Sequence, residues 1–225
     1  MIKLENIIIG SLGPVSFEIR PCAACKIITG SNEDKALLLN AILGLQRPEG
    51  GKVFLFGKEI YSISDSDCIK LYRMVGVAPE RGGLISNLKV WENIVLPLQY
   101  HTGKIPADAD GKAAGIFKEI GIERSELEEL TGRLPGPLPV NEKRLIGLVR
   151  AMLMEPELMI YDSLFEGLSP ELAGRLARLT GRFHAGRQGR ASVYLSANAL
   201  SLEGVSAGQV IDLSNEGTRG VHGVV

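Results

Sequence analysis

Lys26-Ile27-Ile28-Thr29-Gly30-Ser31-Asn32-Glu33-Asp34-Lys35-Ala36-Leu37-Leu38-Leu39-Asn40-Ala41-Ile42-Leu43-Gly44-Leu45 is the stretch on which the reading of the whole chain turns. The apolar, β-branched run predicts a strand over Cys25–Thr29. The apolar residues after Lys35 predict a helix over Lys35–Leu43. A strand that passes through a short glycine-led loop into a helix is the repeating unit of parallel α/β sheets. The loop carries Glu33 and Asp34 against Lys35, about one net negative charge next to a helix N-terminus. Asp34, or Asn32, is expected to cap that helix, a contribution of about 1 kcal/mol.

The alternation of short strands and longer helices extends in both directions. Strands are predicted at Ile2–Ile9, Val15–Ile19, Lys52–Phe56, Met74–Val77, Leu158–Tyr161, Ser192–Leu195 and Gln209–Leu213. Helices are predicted at Asp65–Tyr72, Val90–Leu98, Lys112–Ile120, Asn141–Met154 and Pro170–Phe183. The last has Ser169 as its N-cap and Pro170 in the first turn, with Leu172, Leu176, Leu179 and Phe183 on one face. The strand signals stop between Glu80 and Glu155, and Thr131–Pro139 is a turn-rich joint. The expectation is one domain over residues 1–225. Its α/β core is residues 1–79 and 156–225, with a helical subdomain at 80–155.

The chain has 225 residues, 45% hydrophobic and 23% charged, with a formal net charge of -1, enough for one core and too balanced for a general polyanion binder. No nucleic-acid partner is expected. No apolar run reaches the roughly 18–20 residues that span a bilayer, so no transmembrane segment is expected. The start of the chain has no signal-peptide pattern. Three cysteines, an odd number, argue against a disulfide framework and for a reducing cytosol. Cys22-Ala23-Ala24-Cys25 has redox or zinc spacing, but a metal site needs more ligands, and none is assigned.

Six sites along the chain fall in a recognisable order. The first is Gly30–Ala36. The second is Val75-Gly76-Val77-Ala78-Pro79-Glu80, and the third is Leu138-Pro139-Val140-Asn141-Glu142 ahead of Arg150-Ala151-Met152-Leu153. The fourth is Met159-Ile160-Tyr161-Asp162-Ser163, the fifth the following loop through Ser169-Pro170, and the sixth Ser192-Val193-Tyr194-Leu195-Ser196-Ala197-Asn198. In order and spacing, nearly the whole chain, from Ile2 to Leu213, resembles the ATP-binding cassette family. That resemblance implies an α/β core sheet of P-loop type flanked by helices, an antiparallel β side-sheet and an inserted helical subdomain. It also implies ATP and magnesium as cofactors, a membrane-embedded permease as partner, a homo- or heterodimer with another cassette subunit, and a place on the inner face of the cell membrane.

Each of the six sites departs from the family pattern. A phosphate loop reads G-x-x-x-x-G-K-[ST], whose glycines expose backbone N–H groups and whose hydroxyl holds magnesium. Here four residues, not five, separate Gly30 from Lys35. Asp34 stands at the last glycine and Ala36 at the hydroxyl. A triphosphate would meet like charge at an effective cost of a few kcal/mol per close pair. The resemblance puts Asp162 at the magnesium-supporting aspartate and Ser163 at the catalytic glutamate, where serine cannot act as a base near neutral pH. Glu80 takes the place of the glutamine, Ala197 that of the switch histidine, and Ser169 that of the aspartate in the loop after the magnesium aspartate. Pro139 and Val140 interrupt the signature loop, which requires N–H donors and glycine-like backbone. The part before the phosphate loop omits the family's adenine-stacking aromatic. The three histidines, His101, His184 and His222, lie elsewhere and are expected on the surface. Gly30, Ser31, Asn32, Lys35, Glu80 and Asp162 are therefore expected to be a vestigial nucleotide site, with no catalytic residue. The alternative is a diverged but working ATPase in which Lys35 and Asp162 still bind nucleotide.

Arg81–Leu98 departs least. It resembles the segment after the glutamine loop in cassette subunits of the lipid-trafficking class, which serve transporters that maintain lipid asymmetry. In the family it lines the groove for a permease helix, so Arg81, Gly82, Gly83 and Leu84 are the expected docking residues. Val90, Ile94 and Leu98 share a face that also fits core packing. Arg175, Arg178, Arg182, Arg187 and Arg190 form a run expected to be a solvated face.

Overall fold

The computed structural model describes residues 1–214 and the backbone of 222–223, so the expectation for His222 concerns a side chain outside the described residues. Two sheets organise the chain. The first is a four-stranded antiparallel sheet of β1 (Ile2–Ile9), β2 (Leu12–Ile19), β4 (Gly50–Leu55) and β5 (Lys58–Glu59), in the order β2-β1-β4-β5. The second comprises β3 (Ala24–Thr29), β6 (Val75–Ala78), β7 (Leu158–Asp162), β8 (Ala191–Ser196), β9 (Gln209–Leu213) and β10 (His222–Gly223), in the order β10-β9-β3-β8-β7-β6. In it β9, β3, β8, β7 and β6 are parallel and β10 is antiparallel. This is the α/β architecture that the alternation of elements predicts.

Helix α1 (Asn32–Ile42) sits between the two sheets. Its Leu38, Leu39, Ala41 and Ile42 pack with Ile2, Leu4, Ile7 and Ile9 of β1 and with Cys25 and Ile27 of β3. The β1 pattern alternates because one face meets this core and the other meets solvent, whereas β7 and β8 are buried along their whole length. Between β6 and β7 lie α3 (Val90–Thr102), α4 (Ala109–Ile120), α5 (Arg124–Gly132) and α6 (Val140–Leu153), with no strand among them. They share a second core with α7 (Pro170–Ala185) and the far face of the sheet. Tyr161 and Tyr194 stack there with ring centroids 4.7 Å apart. Helix α2 (Asp65–Tyr72) matches its predicted span.

Helix α5 has no counterpart in the sequence reading. Only Leu127 and Leu130 of its nine residues are buried, too few apolar positions to set a period. The basic run is solvent-facing at Arg178, Arg182 and Arg187 and half-buried at Arg175, and Arg190 alone departs from the expected solvated face. Arg190 is 1% exposed, ion-paired to Glu155 at 2.7 Å, with its guanidinium 3.7 Å from the Phe183 ring centroid. Arg175, Arg182 and Arg187 pair with Glu171, Glu119 and Glu157. Glu171 is one turn away on α7 itself, whereas Glu119, Glu155 and Glu157 come from other parts of the chain, and their distance in sequence hid them. His184 is half-buried, with Nδ1 3.1 Å from Ser192 Oγ, and is not a free surface residue; His101 is also half-buried. Cys22 is exposed, while Cys25 lies in the core, where burial pushes its thiol up to about 12.

The topology places the site. β3, β6, β7 and β8 run parallel and end at the same edge, at Thr29, Ala78, Asp162 and Ser196. The loops that follow each strand therefore converge there, as loops at the carboxyl ends of parallel strands do.

Candidate functional site: a lysine held by two carboxylates

β3 ends at Thr29 and α1 begins at Asn32, so only Gly30 and Ser31 connect them. The helix starts three residues before the predicted Lys35, because Ser31 caps it. Ser31 Oγ accepts the Asp34 N–H at 3.0 Å and donates to Asp34 Oδ2 at 2.8 Å. The expectation that Asp34 or Asn32 caps the helix is thus corrected. Asp34, at the third helical position, is instead the partner of the cap, accepting from the Ser31 hydroxyl. Its other oxygen accepts from Ser11 Oγ, which reaches over from the β1–β2 hairpin. Asn32 is exposed in the first turn. Gly30 has no left-handed φ, and a Cβ there would lie 3.2 Å from the Ser214 carbonyl oxygen.

Lys35 is the centre of the arrangement. Its side chain is 3% exposed, and Nζ lies 2.8 Å from Glu80 Oε2 and 2.9 Å from Asp162 Oδ1. It also donates to Ser163 Oγ. The Asp162 contact is electrostatic, since no donor is aligned on Oδ1. Asp162 Oδ2 accepts the Glu80 N–H at 3.2 Å, which joins the two carboxylate-bearing loops directly. Burial works against the Lys35 charge, but the hydrogen bond to Glu80 and the charges of Glu80 and Asp162 together outweigh it and its pKa is raised. The ammonium in turn holds the Glu80 carboxyl below its ordinary value.

The pairing of Lys35 with Ser163 at a strand end invites comparison with a serine–lysine nucleophile and base. Two features argue against that chemistry here. Lys35 Nζ donates to Ser163 Oγ and sits between two carboxylates, which favour its charged form over taking up the hydroxyl proton. Ser163 is 1% exposed and out of a substrate's reach.

The sequence-assigned residues thus divide. Lys35, Glu80 and Asp162 converge, while Ser31 bonds Asp34 at the start of α1 and not the ion cluster. Gly30 and Asn32 make no side-chain contact in the cluster. Three contributors escaped the sequence reading: Ser11, Arg144 and Glu166. Arg144 of α6 is 6% exposed and donates from Nε to the Glu80 carbonyl at 2.8 Å and from Nη1 to the Glu166 carbonyl at 2.6 Å. Its signal was available, an arginine on the apolar side of an amphipathic helix. Glu166 accepts from Ser163 Oγ at 3.1 Å and Ser196 Oγ at 2.6 Å. Nothing in the local sequence marks Ser11.

The donor set fits a bound MgATP poorly. A two-residue connection leaves little backbone to wrap a phosphate, and Ala36 offers magnesium no hydroxyl. A phosphate at Lys35 would have to displace two carboxylates, with Asp34 and Glu33 close by. At the start of α6, Pro139 is the N-cap residue with no side-chain hydrogen bond, and Val140 is 52% exposed.

The expected docking residues lie just beyond Glu80. Arg81 and Gly83 are exposed and Leu84 is half-buried. Gly82 is buried against α6, and Arg150 donates to the Gly82 and Gly83 carbonyls at 2.8 and 2.7 Å. Asn93 fixes the loop after them. It is fully buried, accepts the Ile85 N–H at 2.7 Å, and has its amide nitrogen 3.0 to 3.1 Å from the Ile85, Leu88 and Lys89 carbonyls.

Two sheets of this order, with a strand–loop–helix at the carboxyl edge and four helices between β6 and β7, define an ATP-binding-cassette type of domain. The sequence profile described as ABC transporter matches residues 12–166, and the chain belongs to that family. It is 27% identical over 169 residues to the methionine import ATP-binding protein MetN of Cereibacter sphaeroides, covering 75% of this chain and 46% of that protein. It is 26% identical over 163 residues to the probable ribonucleotide transport ATP-binding protein mkl of Mycobacterium leprae, covering 71% and 43%. The chain thus spans less than half the length of these curated relatives. Among solved structures it superposes on the dimeric post-hydrolysis state of the ATP-binding cassette MJ0796 bound to ADP and Pi. The TM-score is 0.83 at 20% identity, over 99% of this chain and 98% of that one, a likeness of fold. Among the described residues no helix is long and apolar enough to cross a membrane.

Proposed function

We propose that this chain is a cassette subunit that no longer hydrolyses ATP and serves as a structural or regulatory partner of a membrane permease or of an active homologue. The observation that carries this reading is the pair of carboxylates, Glu80 and Asp162, within 2.9 Å of a buried Lys35 Nζ. The ammonium that would meet a phosphate already has two anionic partners from its own chain. Residues 80–155 act in this reading as the helical subdomain that presents Arg81–Leu98 to the permease at the inner face of the membrane. Support for that division is the absence of any strand between β6 and β7. Arg81 is the exposed side chain with which to probe docking, since Gly82 shapes the fold. The cargo class we favour is lipid, from the resemblance of Arg81–Leu98. The methionine and ribonucleotide in the relatives' names are the competing outcomes for a transport assay on the purified assembly.

A second reading, a slow but working ATPase, is favoured by one observation: the structure brings Lys35 and Asp162 together, as a nucleotide site requires. Hydrolysis separates the two. Purified chain is expected to release no phosphate from MgATP above a no-protein control, and Ser163→Glu is expected not to change that. A carboxylate at Ser163 restores one group of a set that acts as a unit, and such sets are strongly non-additive. Steady turnover by the wild-type chain, or by the Ser163→Glu variant alone, would establish the ATPase reading instead.

A further inference from the structure

We propose that Glu166 is the hub of a latch joining the turn after β7 to the turn after β8, so that a change at either turn is transmitted to the other and to Lys35. The latch goes beyond the non-catalytic reading and operates whether or not ATP binds.

The strained member is Ser163. Its φ is +48°, in the left-handed region that a residue with a Cβ avoids unless its surroundings hold it there. Three contacts do so. Its N–H donates to the Leu195 carbonyl at 2.8 Å, its Oγ accepts from Lys35, and the same Oγ donates to Glu166 Oε1 at 3.1 Å. The first contact ties it to β8, the second to α1 and the third to the hub.

From the hub the chain of contacts crosses to the neighbouring strand. Ser196 Oγ donates to the same oxygen, Glu166 Oε1, at 2.6 Å. That hydroxyl accepts the Asn198 N–H at 2.9 Å and lies 3.1 Å from Ser201 Oγ in the short 3-10 turn at Ala199–Leu202. Ser163 and Ser196 are 1% and 0% exposed, so neither hydroxyl has bulk water as a substitute partner. Two buried hydroxyls, one just after β7 and one at the end of β8, therefore share one carboxylate oxygen as their acceptor; the Asn198 carbonyl, 3.1 Å from Ser196 Oγ, is the longer alternative for the second. Arg144 fixes the hub from outside, through the Leu164 and Glu166 carbonyls.

Hydrogen–deuterium exchange on the full chain tests the latch, with Glu166→Ala, Ser196→Ala and the double variant. Loss of the charged acceptor is expected to speed exchange about tenfold in both 163–169 and 198–203, with β1 and β2 unchanged. Ser196→Ala, which deletes one hydroxyl from β8, is expected to speed exchange at 163–169 as well as at 198–203. The double variant is expected to be no faster at either turn than Glu166→Ala, because both changes break the same link. A Ser196→Ala effect confined to 198–203, or additive effects in the double variant, would overturn the proposal. If Glu166→Ala loosens the whole chain, the spread of the Ser196→Ala effect alone decides.

Discussion

Lys35→Ala is expected to lower the unfolding free energy by about 3 kcal/mol, the low end for removing one partner of a buried ion pair. The low end applies because the Glu80 side chain is 34% exposed and water can relieve it, whereas that of Asp162 is 12% exposed. The physical cause is the two carboxylates left facing each other without their cation. Urea denaturation of the two chains measures it. Lys35→Met combined with Glu80→Gln and Asp162→Asn removes charge and partners together, and is expected to regain most of the loss. The pH profile gives the sign independently. Glu80 has its pKa held below the ordinary 4.5, so its contribution is present above that value and is lost as pH falls through the folded pKa. Lys35 has its pKa raised above 10.5, so its contribution is complete below that value and is lost as pH rises through the folded pKa. The Lys35→Ala variant should lack both limbs. A loss under about 1 kcal/mol with an unchanged pH profile would show that the ammonium is a loosely held, solvent-screened group.

Gly82→Ala is expected to cost about 4 kcal/mol, more than a surface-loop substitution normally does. A Cβ there would lie 2.1 Å from the Lys143 carbonyl oxygen, and φ is +76°. Left-handed strain contributes about 1–2 kcal/mol and overpacking about 1–3 kcal/mol. From the helix side the same approach is tight, since a Cβ on Gly147 would come within 2.7 Å of the Gly82 carbonyl oxygen. Gly57→Ala is the control: φ is +79° but nothing lies within 4 Å, so only the strain remains. Equal midpoints for the two variants in a urea titration would mean that α6 does not press on this loop. The result also bears on how docking is tested. A Gly82 variant that loses a permease has first lost the local fold, whereas Arg81→Glu changes only an exposed charge.

The fold was legible because the periods are clean. β1 and β9 run over the predicted residues, and most other strands differ from their predicted spans by one or two residues at an end. The capping of α1 was misread because three oxygen-bearing side chains, Ser31, Asn32 and Asp34, compete within the first turn. Only the three-dimensional reach of Ser11 to Asp34 settles which one faces the helix. The candidate site was legible in part. Lys35, Glu80 and Asp162 were identified from their order along the chain, and the topology brings them together at the ends of β6 and β7 and the start of α1. That they pair with one another could not be read, since ion pairing between residues 45 and 127 positions apart leaves no local pattern. Arg190 shows the same limit from the other side. A run of arginines reads as solvated until a fold supplies Glu155 and the Phe183 ring.

The central claim is that Lys35 is satisfied by its own chain and has no phosphate to meet. Titration of the purified chain with a fluorescent ATP analogue and magnesium tests it most directly. The account predicts no saturable signal in the low micromolar range, and the same trace for wild-type chain and for the folded Lys35→Met, Glu80→Gln, Asp162→Asn variant. Saturable low-micromolar binding by the wild type that this variant abolishes would contradict it, and would make Lys35 and Asp162 a working nucleotide site.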